Sequence, residues 1–95
     1  MEHLYVISYD IRDQRRWRRV FRIMKGYGEW LQLSVFQCRL SRSRVLQLEA
    51  ALKEAMNQAV DHVLILEIGP ADAISPQVRS LGKLFRPVAR EAVIV

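Results

Sequence analysis

Leu4-Tyr5-Val6-Ile7-Ser8-Tyr9-Asp10-Ile11 is the stretch that decides the fold. Aromatic and β-branched residues dominate it, and apolar side chains occupy both alternating positions until its far end. That is the pattern of a central strand covered on both faces. Asp13 stands at a helix-capping position just beyond. Trp17, Val20, Phe21 and Met24 then recur at helical spacing, and Gly26 and Gly28 supply the stop.

Working outward, residues 30–40 form a second extended run whose apolar members include Leu31, Leu33, Val35 and Cys38. No Gly or Pro marks a turn inside it, so it reads as two strands or as one kinked strand. Ser41 or Ser43 caps a second helix with the stripe Val45, Leu48, Leu52, Ala55 and Ala59, although neither serine has a Glu or Gln three residues on. The helix therefore rests on its periodicity and not on a capping box. Residues 61–68 hold Val63, Leu64, Ile65 and Leu66 and stop at Gly69-Pro70, a further strand. After Pro76, Gly82 and Pro87 the chain closes on Ala92-Val93-Ile94-Val95, an apolar segment expected to pair with a sheet edge.

The order β-α-β-β-α-β plus a short final strand predicts an α+β, ferredoxin-like domain, with both helices on one face of an antiparallel sheet. The core spans about 3–68, with 69–91 as loop and linker and 92–95 as a C-terminal strand. Repeats and low-complexity segments are absent. Two helices cover only one sheet face, yet the strands look apolar on both. A second copy of the chain is the simplest cover, so a homodimer is expected.

Composition sets the bounds. Ninety-five residues, 51% of them hydrophobic, suffice for one domain and are too few for two. The single Cys38 cannot form an internal disulfide, which fits a reducing cytoplasm. Glu2 stands where an export signal wants positive charge, and Asp10 and Arg12 interrupt the first apolar run, so neither export nor membrane spanning is expected.

Lys and Arg number 15 against 10 acids, a net charge of +5. The excess is concentrated: Arg15, Arg16, Arg18, Arg19, Arg22 and Lys25 all fall in the first helix, with Arg12 just before it. At 100° per residue, Arg15, Arg18, Arg19 and Arg22 lie opposite the Trp17/Phe21/Met24 stripe. A solvated face normally intersperses acids, and this stretch has none, which favours phosphate binding. Arg grips phosphate oxygens with two parallel hydrogen bonds. Gln14 is the helix's one carboxamide and sits in its first turn, so recognition is expected to be independent of base sequence.

Asp10 is the acid embedded at the end of the first strand. Two readings stand on the residues alone: a turn or capping role, and an oxygen ligand for a divalent cation such as Mg²⁺, with one Asp from each of two chains. His3 and His62 lack Cys or acid partners at ligand spacing, so no zinc site is expected. Ser8, Ser34, Ser41 and Cys38 have no identifiable His partner, which leaves covalent catalysis unsupported.

Residues 5–13 (Tyr-Val-Ile-Ser-Tyr-Asp-Ile-Arg-Asp), Tyr27-Gly28 and residues 32–41 (Gln-Leu-Ser-Val-Phe-Gln-Cys-Arg-Leu-Ser), with the Asp61-led strand and the closing Leu-Gly…Ile-Val, resemble the CRISPR-associated endoribonuclease family Cas-two (Cas2), in family order along the chain. The resemblance implies a ferredoxin-like homodimer in which each C-terminal strand joins the partner's sheet. It also implies a metal at Asp10, basic positions at Arg15, Arg16 and Arg19, and Tyr9, Ser34 and Phe36 near the dimer seam. Gln37 stands where many relatives carry Glu, which thins the carboxylate shell.

The implied activity is Mg²⁺-dependent (or other divalent-cation-dependent) endonucleolytic hydrolysis of single-stranded RNA or double-stranded DNA, with a part in spacer acquisition beside the CRISPR integrase of the Cas-one family. A non-catalytic duplex-DNA adaptor that bridges integrase dimers is the alternative. A third reading stacks RNA bases on the sheet aromatics Tyr5, Tyr9 and Phe36, but residues 31–40 lack the Lys/Arg-Gly-Phe/Tyr signature of such modules.

Overall fold

Strand β1, Glu2–Asp10, lies between two neighbours in the computed structural model, which describes residues 1–82. Helix α1 (Gln14–Lys25), strands β2 (Glu29–Gln32) and β3 (Val35–Ser41), helix α2 (Arg42–Ala55) and strand β4 (His62–Pro70) follow. The sheet order is β2-β3-β1-β4 with every pairing antiparallel, the ferredoxin-like βαββαβ topology. The expected C-terminal strand at 92–95, and residues 83–91 of the expected 69–91 linker, lie outside the described residues.

Register decides what each face carries. Tyr5 pairs with Cys38 and Ile7 with Phe36, while Ile65 and Val63 stand opposite Ile7 and Tyr9. Because strand side chains alternate between faces, this set points to one side, where it packs with Val20, Phe21 and Met24 of α1 and Val45, Leu48 and Leu52 of α2. Trp17 stacks on Phe21, with ring centroids 5.1 Å apart, and Phe21 meets Trp30 and Phe36 edge-on. The buried aromatics thus join α1 to β1, β2 and β3.

The expected caps form. Asp13 Oδ2 accepts a hydrogen bond from Arg16 N at 2.9 Å, and Ser41, not Ser43, caps α2 by accepting from Arg44 N at 3.3 Å. Ala59 is not part of the buried stripe: α2 ends at Ala55, and Ala59 is exposed in the turn beyond. The 30–40 run is two strands. Leu33 turns the chain with a φ of +39°, and the Trp30 indole donates to Leu33 O at 2.9 Å, a conformation held without Gly or Asn.

β4 includes Gly69-Pro70, which pair with Leu4 and His3, and it ends at Pro70. β4 is the outer strand of the sheet, where a proline costs no ladder hydrogen bond if its nitrogen faces outward. The chain then folds back. Ala71 N donates to Glu2 O at 2.9 Å, and Arg39 Nη1 donates to Ala71 O at 2.6 Å. A Cβ on Gly69 would lie 2.7 Å from Ile74 Cδ1, so the returning segment sits directly against the strand. Leu4, of opposite parity to the helix-side set, is fully buried at this end of the sheet. Elsewhere the helix-free face stays open: Leu64 and Leu66 remain 46% and 45% exposed, and the extra residue Ile68 49%.

Candidate nucleic-acid interface and metal position

The first helix separates its residues by polarity as the sequence predicts. Val20, Phe21 and Met24 are buried, while Arg15, Arg18, Arg19 and Arg22 are exposed. None of these four makes a hydrogen bond or ion pair within the described residues, so each can take an external phosphate. Arg12, in the link between β1 and α1, is also exposed. The other two cations of the segment are partly committed. Lys25 Nζ sits 5.3 Å from the centre of the Phe21 ring, a cation–π contact. Arg16 Nε donates to Asp61 Oδ2 at 2.7 Å, and Arg16 Nη1 lies 3.8 Å from Asp13.

Asp61 was legible only as the leader of the fourth strand. In the structure it is a buried acid in the turn before β4, its side chain 2% exposed, and it accepts from Asn57 N at 2.8 Å as well as from Arg16. The Arg16 guanidinium, helped by the Asn57 amide, holds this carboxyl below the usual carboxylate range against the opposing effect of burial. Nothing in the local sequence marks the pair, because its members are 45 residues apart.

Asp10 is exposed at the end of β1 and stands opposite His62 of β4. It makes no hydrogen bond or ion pair among the described residues, so neither a capping nor a turn bond occupies it there. Three His, Cys, Asp or Glu groups close enough to hold a metal ion do not occur among the described residues. One chain therefore offers a hard-cation site a single carboxylate at this position. Gln37 is bonded to Glu29 at 3.3 Å on the β2–β3 pair.

Tyr9 and Phe36 belong to the interior on the helix side, and Ser34 is half-buried in the turn between β2 and β3. Tyr9 and Phe36 are 4% and 0% exposed, and Ser34 Oγ accepts the Trp17 indole N–H at 2.8 Å. Burial pushes the Tyr9 phenol above its ordinary range with only partial opposition from Ser34, and its hydroxyl makes no regular hydrogen bond. The same burial removes the base-stacking reading, since Tyr5, Tyr9 and Phe36 lie beneath the helices. No described helix is long and apolar enough to cross a membrane.

Topology and charge together define a ferredoxin-like domain with an arginine-rich outer helix and one acid at the end of its central strand. Residues 3–73 match the model of the family described as CRISPR associated protein Cas2, and the chain belongs to that family. It is 63% identical over 95 residues, all of both chains, to the CRISPR-associated endoribonuclease Cas2 of Geobacter sulfurreducens. It is 50% identical to a Rhodospirillum rubrum protein of the same description, across 99% of this chain and 92% of the relative. Among solved structures, one titled as the crystal structure of cas2 superposes with a TM-score of 0.77 at 28% identity, covering 94% of this chain and 97% of the other. A hypothetical protein from Thermus thermophilus gives 0.75 at 29% identity, over 93% of this chain and all of the other.

Proposed function

We propose that the chain is a metal-dependent endonuclease of CRISPR adaptation, acting as a homodimer in which the Asp10 carboxylates of two copies hold Mg²⁺ or another divalent cation. The observation that carries this reading is the Asp10 carboxylate itself, exposed and without a partner among the described residues, at the end of a strand fixed on both sides. A hard cation of this kind takes oxygen ligands, accepts one or two carboxylates and keeps several waters, so one Asp from each copy is a sufficient protein share. When bound, the cation would polarise a phosphodiester and acidify a water.

This chain's own residues supply the rest. Arg15, Arg18, Arg19 and Arg22 grip backbone phosphates, and Arg12 lies two residues from Asp10 to hold the strand beside it. The relatives named endoribonuclease at 63% and 50% identity support the nuclease reading. The acid-free outer face of α1 favours a second role, as a duplex-DNA adaptor that bridges CRISPR integrase dimers during spacer acquisition. Divalent-cation-dependent cleavage of single-stranded RNA and of duplex DNA by wild type and Asp10→Asn tests the nuclease reading. Cleavage that is undiminished in the variant overturns it.

A further inference from the structure

A cleft of about 430 Å³ opens between the β1–α1 link and the first turns of α1, lined by Ile11, Arg12, Gln14, Trp17 and Arg18. Its composition differs from that of the basic ridge beside it. Its lining brings together two arginines, an aromatic ring, one carboxamide and one aliphatic side chain. The indole is fixed in place, since Phe21 stacks on it with ring planes 10° apart, Tyr9 meets it at a tilt, and its N–H is bonded to Ser34 Oγ at 2.8 Å. A ring already immobilised loses no rotamer freedom when a flat ligand lands against it.

We infer that this cleft is a subsite for a single unpaired nucleotide, its base lodged against Trp17 and Ile11 and its flanking phosphates held by Arg12 and Arg18. Aromatic stacking supplies affinity for any base, because every base presents a π-face. Gln14, exposed in the first turn, offers both a donor and an acceptor to a base edge. A paired base cannot enter such a pocket without leaving its stack, so the cleft favours single strands or strand ends over an intact duplex. Ile11 and Arg12 follow Asp10 directly, which places the subsite next to the proposed metal position. The inference rests on the nucleic-acid-binding reading and adds to it a place where one base is taken.

The test uses the full chain carrying Trp30→Phe, so that Trp17 is the remaining indole. It is titrated with a short single-stranded oligonucleotide, with a backbone of the same length lacking bases, and with a blunt duplex. Fluorescence anisotropy of labelled oligonucleotides reports binding, and indole emission reports stacking. Quenching by the base-bearing single strand alone is expected, with binding roughly 5-fold or more tighter than to the base-free backbone. Gln14→Ala is expected to weaken single-strand binding about 3-fold and to leave duplex affinity unchanged. If Trp30→Phe does not fold, wild-type emission gives the same comparison over a constant Trp30 background. Equal affinity for base-bearing and base-free strands without quenching overturns the subsite while the phosphate-binding ridge stands. No binding to any of the three overturns the nucleic-acid reading itself.

Discussion

Arg16 and Asp61, 45 residues apart, form a two-point hydrogen-bonded ion pair, Nε to Oδ2 at 2.7 Å and Nη2 to Oδ1 at 3.3 Å, that ties the first turn of α1 to the turn leading into β4. The acid is buried, and the Asn57 amide fills a further acceptor position on it. The helix therefore divides its arginines between two tasks. One fastens the helix to the turn before β4, and the exposed ones are free among the described residues for the phosphates of the proposed function. Arg16, which the sequence places among the basic binding residues, also makes this fastening.

Asp61→Asn is expected to destabilise the fold by about 2 kcal/mol, because a charge-assisted pair in a buried position is lost and the guanidinium keeps only a neutral partner. The pH dependence has a definite sign. The folded carboxyl titrates below its unfolded value, so its contribution is complete above the unfolded pKa of about 3.9 and fades as pH falls through the lower folded value. Urea midpoints of wild type and variant should differ by a constant amount between neutral and mildly acidic pH, then converge in stronger acid. A gap that widens on acidification would contradict the assignment.

Gly28→Ala should cost about 2 kcal/mol through overpacking. A Cβ at Gly28 would overlap Cys38 Sγ and lie 2.5 Å from Gln37 O, and the backbone carbonyl cannot rotate away. Gly28 thus serves as the point where the α1–β2 link passes against β3, in addition to ending the helix, where its amide bonds Met24 O at 3.0 Å. An unchanged denaturation midpoint would show that the link moves aside freely.

What the sequence revealed and what it concealed divide along range of interaction. Helical spacing in 17–24, the Asp13 cap and the alternation of β1 are local, and they sufficed for the element order and the outward arginine face. Ser41 and Ser43 were indistinguishable as caps because each has the required hydroxyl, and only the path of the chain out of β3 selects Ser41. The Leu33 turn carries no residue that advertises a positive φ; it follows from pairing β2 to β3. Gly69-Pro70 looks like a stop just outside the strand until the neighbours are known, since an edge position lets the strand take in both residues before it ends. Asp61 and the Trp17–Ser34 bond depend on contacts between distant segments, and those leave no spacing to read.

Reversing Arg15, Arg18, Arg19 and Arg22 to Glu should abolish duplex binding while circular dichroism still shows a folded chain, because all four side chains are exposed and unpaired among the described residues. Wild-type affinity should fall steeply with salt, with a log–log slope of about −0.9 for each phosphate neutralised. A gel-shift midpoint that barely moves on reversal, or that ignores salt, reduces the ridge to a solvated helix face.

Removing residues 92–95 should weaken self-association. The motive is an outer strand, β4, with its far edge unpaired among the described residues and with Leu64, Leu66 and Ile68 about half exposed along it. An added strand from a second copy would satisfy the edge and cover part of that surface. Light scattering on wild type and truncated chain decides the point, and a wild-type monomer or an undisturbed truncated dimer counts against strand exchange.

The sharpest prediction concerns Asp10, because three readouts should respond differently to one change. Asn preserves size and some hydrogen bonding but removes the charge that a hard cation requires, so Mg²⁺-dependent cleavage should disappear in Asp10→Asn. Duplex affinity should hold, since the proposed reading assigns it to the arginines of α1 and Asp10 bonds to none of them. Stability without metal should rise slightly, because two carboxylates brought together across a dimer repel and two carboxamides do not. A variant that merely unfolds would lose cleavage and binding together and melt lower. A metal ligand predicts the opposite combination of lost cleavage, intact binding and a melting temperature equal to or above wild type. Spacer integration with the partner integrase, measured on the same preparation, then separates the two proposed roles: normal integration beside lost cleavage assigns Asp10 to hydrolysis alone and leaves the adaptor role to the basic helix.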